Sequence, residues 1–112
     1  MGMKYEIREE QGATVVAFEG DVDLQSSPEA RSALLEAVAR GDAVLVDLSG
    51  VEYIDSSGVA SLVESYQKAR KQNQAYVLVA VSEGARRVLE LARLDKVFTL
   101  RDTIADGLRE IG

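Results

Sequence analysis

The feature that most constrains the fold is a short apolar run, residues 43–48, which a polar segment separates from a helical pattern beginning near Val59. A nearly continuous apolar run is typical of a strand that is covered on both faces. The helical segment repeats apolar residues at intervals of three and four, at Val59, Leu62, Val63, Tyr66 and Ala69. A doubly covered strand followed by an amphipathic helix is the repeating unit of parallel sheets, so the pattern predicts an α/β fold.

The N-terminal part of the chain predicts a β-hairpin. Residues 3–7 alternate apolar and charged side chains, which is typical of a half-exposed strand. Gln11 and Gly12 predict a tight reversal into a second strand over residues 14–18, and Gly20 is expected to end that strand. The first two strands are therefore expected to be antiparallel.

Serine, proline and glycine residues mark the ends of the next elements. A first helix is expected to have Ser26 or Ser27 as its N-cap, with Pro28 in its first turn, and to end at Gly41. After the central strand and the helix described above, another apolar run at residues 76–81 predicts a further buried strand.

The C-terminal part adds three more elements. Ser82 is expected to cap a third helix, residues 97–100 to form a short strand, and Asp102 or Thr103 to cap a closing helix. The predicted order is ββαβαβαβα. It corresponds to a single α/β domain over residues 1–112, with a mixed sheet that opens with the antiparallel hairpin.

Charge and composition exclude several classes of function. The formal net charge of −6 opposes the phosphate backbone of nucleic acids, so nucleic-acid binding is not expected. The sequence has no cysteine and no histidine, which removes thiol catalysis and the usual zinc ligands, and no cofactor is expected. No segment approaches the roughly 20 apolar residues of a membrane span, so we expect a cytoplasmic protein that reaches a membrane only through a partner.

Two aspartates before the first helix resemble the opening ligands of a calcium loop. Ser26 and Ser32 stand where a loop that begins at Asp21 requires glycine and glutamate, so we expect no metal site there. We interpret Asp21 and Asp23 as residues of the loop that leads into the first helix. No glycine-rich phosphate-binding motif follows a predicted strand, and ATP would have to come with a partner.

Asp55, Ser56, Ser57 and Gly58 carry the chemistry that suggests a function. Hydroxyls at the start of a helix lie beside free backbone N–H groups at the positive end of the helix dipole, where an added phosphate is well tolerated. The alternative is that both serines serve only as N-caps, which would contribute about 1 kcal/mol. Because no histidine is present as a general base, we predict a phosphorylation switch rather than an enzyme.

Three segments of the chain read FEGDVD at residues 18–23, VDLSGVEYIDSSG at residues 46–58 and ARLDKVF at residues 92–98. With these segments the chain resembles the STAS domain family over nearly its full length, and in particular the bacterial anti-sigma factor antagonists. The resemblance implies that Ser57, with Ser56 as the second choice, is phosphorylated by a partner that is both anti-sigma factor and serine kinase. It also implies that a PP2C-type phosphatase reverses the modification, and that the unphosphorylated protein binds the anti-sigma factor and releases the sigma factor.

The same resemblance implies a partner-binding patch made from the loop after Gly20 and the start of the helix that follows the serines. Its expected members are Asp21, Asp23, Asp55, Ser56, Ser57, Gly58, Val59 and Leu62. Val59 and Leu62 belong to it only if their side chains are partly exposed, since helical spacing favours a core position for Leu62. Two other uses of the fold stay open, as a regulatory subunit of a membrane lipid ABC transporter or as a component of another signalling complex, and so does a homodimer.

Overall fold

The computed structural model describes residues 2–111 and shows the predicted order of elements, ββαβαβαβα. The strands are β1 Met3–Glu10, β2 Ala13–Val22, β3 Ala43–Ile54, β4 Tyr76–Val79 and β5 Thr99–Arg101. The helices are α1 Ser27–Ala39, α2 Ser56–Lys71, α3 Glu83–Leu91 and α4 Ile104–Ile111, and a 3₁₀ turn covers Leu94–Lys96. None of the helices in residues 2–111 is long and apolar enough to cross a membrane.

The strands form one mixed sheet in the order β1-β2-β3-β4-β5. β1 and β2 are antiparallel, whereas the pairs β2–β3, β3–β4 and β4–β5 are parallel. Gln11 and Gly12 form the hairpin turn with φ angles of 51° and 85°, as a type I′ turn requires. The predicted α/β class and the opening hairpin are thus confirmed. The loops that follow the parallel strands lie together at one end of the sheet, the end where these strands finish.

Both faces of the sheet are covered by helices. α1, α2 and α3 pack on one face over a core that includes Val46 and Leu78. α4 packs on the other face over a smaller core that includes Leu45 and Val79. Successive residues of β3 therefore enter different cores, which explains why its first half is a nearly continuous apolar run.

Two strands run further than the sequence predicts. β2 continues through Gly20 to Val22, and β3 continues to Ile54, although the apolar run predicts only residues 43–48. The outer halves of these strands pair with each other through two register shifts. Gly20 has a φ of 98°, and a Cβ there would overlap the carbonyl oxygen of Gly2. Glycine is thus required by a close approach within the strand, and the prediction that it ends the strand is wrong.

Other element boundaries differ from the predictions by a few residues. α2 begins at Ser56 rather than near Val59. The last strand covers Thr99–Arg101 rather than residues 97–100, because Val97 donates its N–H back into the preceding 3₁₀ turn. These shifts leave the order and direction of the elements unchanged.

Serine and threonine caps fix two of the helix starts. Ser82 Oγ accepts a hydrogen bond from the N–H of Ala85 at 3.2 Å, as its predicted role as N-cap of α3 requires. Thr103 Oγ1 accepts one from the N–H of Asp106 at 3.0 Å at the start of α4. Ser26 occupies the N-cap position of α1, but its side chain bonds to the preceding loop instead of to the helix.

Candidate functional site

Asp55 caps helix α2 directly after strand β3. Its backbone is extended, with φ −111° and ψ −172°, and its Oδ1 accepts hydrogen bonds from the N–H groups of Ser57 at 2.9 Å and Gly58 at 3.2 Å. Two of the N–H groups that a helix start leaves free are thereby satisfied. The alternative in which Ser56 and Ser57 are the N-caps is therefore wrong, because both serines already belong to the first turn of the helix.

The Ser57 hydroxyl donates a hydrogen bond to the same carboxylate oxygen, with Oγ and Oδ1 2.5 Å apart. This bond holds the pKa of Asp55 below its ordinary value. Burial of the carboxylate acts in the opposite direction, and the backbone N–H groups of Gly58, Ser57 and Leu24 add to the lowering of the pKa. Ser57 is half-buried, whereas Ser56 is exposed. The site thus holds an ionised carboxylate, hydrogen-bonded to one hydroxyl, at the positive end of α2.

Replacing Asp55 with asparagine should lower the free energy of unfolding by about 0.5 to 1 kcal/mol at neutral pH. Asparagine keeps an oxygen acceptor for the two N–H groups, so the loss measures the negative charge alone. The folded-state pKa of Asp55 lies below the unfolded value. The charge therefore stabilises the fold above about pH 4, and this contribution is lost as the pH falls through the folded-state pKa.

Urea unfolding of the wild type and Asp55→Asn at neutral and at acidic pH checks this expectation. The difference between the two proteins should shrink at acidic pH, and a difference of equal size under both conditions would contradict it. The control is Asp42→Asn, which changes an exposed carboxylate in the loop before β3 and should produce no difference at either pH.

Gly58 allows the start of α2 to lie against the end of β2. A Cβ at this position would be 2.6 Å from the carbonyl oxygen of Val22, 2.8 Å from Val22 Cγ1 and 2.8 Å from Ile54 Cγ1. The same Val22 oxygen accepts a hydrogen bond from the N–H of Asp55 at 3.2 Å. The serine turn is therefore fixed to the carboxyl end of β2 by a close contact that only glycine permits.

The loop between β2 and α1 is folded around Asp23. Asp23 Oδ1 accepts hydrogen bonds from the N–H groups of Gln25 and Ser26, each at 3.1 Å, and from Ser26 Oγ at 3.2 Å. Ser26 Oγ also donates to the carbonyl oxygen of Asp21 at 2.7 Å. Asp21 and Asp23 are both half-buried. The structure thus gives Asp23 a role in shaping this loop, and a role of either aspartate in binding a partner stays a prediction.

Two apolar residues of the expected patch belong to the core instead. Val59 is 8% exposed and Leu62 is 2% exposed, and both pack in the core beneath α2. The condition on which they were included, partial exposure of their side chains, is not met. Their helical spacing points them at the sheet, so the sequence-based assignment of these two residues to the binding patch is corrected here.

Two exposed apolar residues, one in the loop beside Asp55 and one at the end of β3, were not predicted from the sequence. Leu24 is 74% exposed, and its N–H lies close enough to the Asp55 carboxylate to lower its pKa. Tyr53 is 53% exposed and lies opposite Asp21 in the pairing of β2 with β3. We call Leu24, Tyr53, Asp55, Ser56 and Ser57 the switch surface. In a strand, the alternation of Tyr53 with Ile54 indicates that Tyr53 is exposed. This interpretation requires that β3 extends to Ile54, which the apolar run at residues 43–48 does not predict.

Helix α2 is held against α1 by polar contacts. Arg31 and Glu64 form two parallel hydrogen bonds, each 2.7 Å long. Their hydrogen bonding raises the pKa of Arg31 and lowers that of Glu64. Beneath the switch surface, buried Ser61 donates to the carbonyl oxygens of Ser57 at 3.2 Å and of Ser27 at 3.4 Å. The Arg31–Glu64 pair and the bond from Ser61 to Ser27 thus attach α2 to α1.

Comparison with known proteins relates the fold to one family. A model of the STAS domain matches residues 4–107. The chain is 32% identical over 103 residues to the anti-sigma-F factor antagonist RsfB of Mycobacterium tuberculosis, across 91% of this chain and 84% of that protein. It is 26% identical over 104 residues to the anti-sigma-B factor antagonist of Listeria monocytogenes, across 91% of each. The structure matches the crystal structure of an anti-sigma factor antagonist from Mycobacterium paratuberculosis with a TM-score of 0.90 and 31% identity, across 97% of this chain and 93% of that chain. The chain therefore belongs to the STAS domain family.

Proposed function

We propose that this STAS protein is an anti-sigma factor antagonist that is controlled by phosphorylation of Ser57. In this proposal the unphosphorylated protein binds an anti-sigma factor in the cytoplasm, and the sigma factor is released. The names of the relatives support the antagonist function. The observation that most supports phosphorylation of Ser57 is the hydrogen bond from Ser57 Oγ to Asp55 Oδ1, 2.5 Å long, at the N-terminus of α2.

The geometry favours Ser57 over Ser56 as the phosphorylated residue. A hydroxyl must lose its proton when it takes up a phosphoryl group, and Asp55 already accepts the hydrogen bond of the Ser57 hydroxyl. The partner kinase would supply ATP and the metal ions, since this chain has no phosphate-binding motif of its own. A PP2C-type phosphatase would restore the hydroxyl.

The fold can accept the added charge at this position. A phosphate on Ser57 would carry roughly −1.5 to −2 charges at neutral pH, beside the partial positive charge of the helix N-terminus. Its oxygens would compete with Asp55 for the N–H groups of the first turn, and the Ser57 hydroxyl could no longer donate to the carboxylate. The rearrangement is confined to the surface, because the core residues of α2 face away from it.

The switch surface has the composition of a docking site. Leu24 offers exposed apolar area beside the polar centre formed by Asp55 and Ser57, and Tyr53 offers more at the end of β3, two residues before Asp55. Exposed apolar and aromatic side chains are common anchors in protein interfaces, where a surrounding ring of contacts excludes water. A phosphate at the centre of such an interface would have to lose its hydration without a matching charge, so binding would weaken.

Incubation with the cognate kinase and ATP should phosphorylate the wild type and Ser56→Ala equally, whereas Ser57→Ala should remain unmodified. The reason is that only Ser57 has its hydroxyl oriented and polarised by Asp55. Intact-mass spectrometry over a time course measures the result. Equal modification of the wild type and Ser57→Ala would show that the assignment is wrong. Circular dichroism spectra of both variants serve as the control that neither substitution changes the fold.

A further inference from the structure

Strand β1 forms a long free edge of the sheet. It contains the eight residues Met3–Glu10 and pairs with β2 on one side, while the opposite edge of the sheet is formed by β5, which has three residues. The outer backbone N–H and C=O groups of an edge strand can pair with a strand of another chain. Tyr5, near the middle of β1, is 42% exposed. An edge of this length is a candidate for pairing between chains.

Charges on β1 alternate in sign along one face. Lys4, Glu6, Arg8 and Glu10 lie opposite Glu19, Ala17, Val15 and Ala13 of β2, and therefore on the α4 side of the sheet. Met3, Tyr5 and Ile7 lie on the other side, where Met3 and Ile7 pack against the larger core. Charged side chains on an edge strand ordinarily oppose pairing with another chain, most strongly where like charges meet. A strand with alternating signs can instead complement a second copy of itself.

We infer that two copies of this chain pair through antiparallel β1 strands about a twofold axis at Ile7. In this register Lys4 faces Glu10 of the second copy, and Glu6 faces Arg8 of the second copy. The symmetry repeats each pair, so four pairs of opposite charge line one face of the joined sheet. The Arg8–Glu10 ion pair within each strand, at 3.3 Å, connects them into a network.

The charge order selects this register over its neighbours. Two residues that face each other across an antiparallel pair have their side chains on the same side of the sheet, and side chains alternate sides along each strand. A twofold axis that joins the two sheets must therefore place some residue opposite its own copy, so the axis lies at a residue position. An axis at Glu6 would place Glu6 opposite Glu6 of the second copy and Lys4 opposite Arg8, so like charges would meet. An axis at Arg8 would place Arg8 opposite Arg8 of the second copy and Glu6 opposite Glu10, so like charges would meet there too. An axis at Tyr5 would oppose Lys4 to Glu6, but it would pair only residues 3–7 within β1, whereas the axis at Ile7 pairs residues 4–10.

This dimer leaves both switch surfaces free. Met3 lies opposite Gly20 in the β1–β2 pair, so β1 begins at the end of the sheet where the parallel strands finish and the Ser57 turn lies. Antiparallel pairing therefore directs the two Ser57 turns to opposite ends of one continuous sheet. Each copy could bind its own partner, and the dimer does not depend on phosphorylation of Ser57.

Charge-swap variants test the dimer and its register by sedimentation velocity over a dilution series. Glu6→Arg alone and Arg8→Glu alone each turn two attractive pairs into repulsive ones and should raise the dimer Kd about tenfold. The double variant Glu6→Arg with Arg8→Glu restores opposite charges and should return the Kd to near the wild-type value. A wild type that stays monomeric at the highest soluble concentration overturns the proposal, and so does a double variant as weak as the single ones.

The absence of native cysteines permits a second test by disulfide formation. In the proposed register Ile7 faces Ile7 of the second copy, whereas Tyr5 faces Glu9. Facing residues of antiparallel strands bring their Cβ atoms near the distance that a disulfide needs. Under mild oxidation Ile7→Cys should form a covalent dimer about tenfold faster than Tyr5→Cys. Equal rates, or a faster reaction of Tyr5→Cys, overturn the register.

Discussion

Replacing Gly58 with alanine should destabilise the protein by about 3 kcal/mol, a large part of the 5 to 15 kcal/mol that is typical of a whole domain. The added Cβ would lie 2.6 Å from the carbonyl oxygen of Val22 and 2.8 Å from two branched side chains. The carbonyl group cannot move away without weakening its hydrogen bond to the N–H of Asp55. The methyl group therefore has to push the first turn of α2 away from the sheet.

Urea unfolding followed by circular dichroism measures this loss. The matched control is Gly84→Ala, which also adds a methyl group to a helical glycine. Gly84 is exposed, and its Cβ would be 3.2 Å from one atom, the carbonyl oxygen of Glu52, so a small adjustment can relieve the contact. We expect Gly84→Ala to stay within about 1 kcal/mol of the wild type. A Gly58→Ala protein as stable as this control would contradict the close contact at the serine turn.

The order of elements was predictable because local patterns specify it. Apolar runs such as residues 43–48 and the turn at Gln11 and Gly12 act through neighbouring residues, and the structure confirms both. The ends of β2 and β3 depend instead on contacts between strands that are distant in sequence. Ser49 and Tyr53 are exposed, so the second half of β3 lacks the continuous apolar character of the first half. Its pairing with β2 through register shifts leaves no signal in a single sequence.

The candidate site was predictable as a segment but not as a geometry. Asp55, Ser56 and Ser57 are all good N-cap residues, and propensity alone does not decide among three of them in a row. The structure selects Asp55 because β3 ends at Ile54 and α2 begins at Ser56, which leaves Asp55 as the residue between them. Leu24 escaped prediction for a related reason. An exposed leucine becomes informative only when the tertiary fold brings it beside the serine turn.

Phosphorylation of Ser57 should weaken binding of the anti-sigma factor about 100-fold while leaving the thermal unfolding midpoint within a few degrees. The loss of affinity has two causes at the switch surface. A doubly charged group would be enclosed between the two proteins, and it would lie next to the Asp55 carboxylate, which already carries a negative charge. The midpoint changes little, because the phosphate lies at a helix N-terminus and outside the core.

Isothermal titration of the purified anti-sigma factor with unmodified and enzymatically phosphorylated protein measures this effect, and calorimetric scans of the same samples measure the midpoint. Ser57→Asp should reproduce part of the loss, since it adds one negative charge where phosphate adds nearly two. Ser56→Asp is the matched control on the neighbouring, exposed position, and it should weaken binding less. If phosphorylation lowered the midpoint by tens of degrees, the loss of binding would follow from unfolding, and control at the interface would be refuted. Unchanged affinity with an unchanged midpoint would instead remove Ser57 from the docking site, because no interface that encloses this hydroxyl can ignore a dianion in its place.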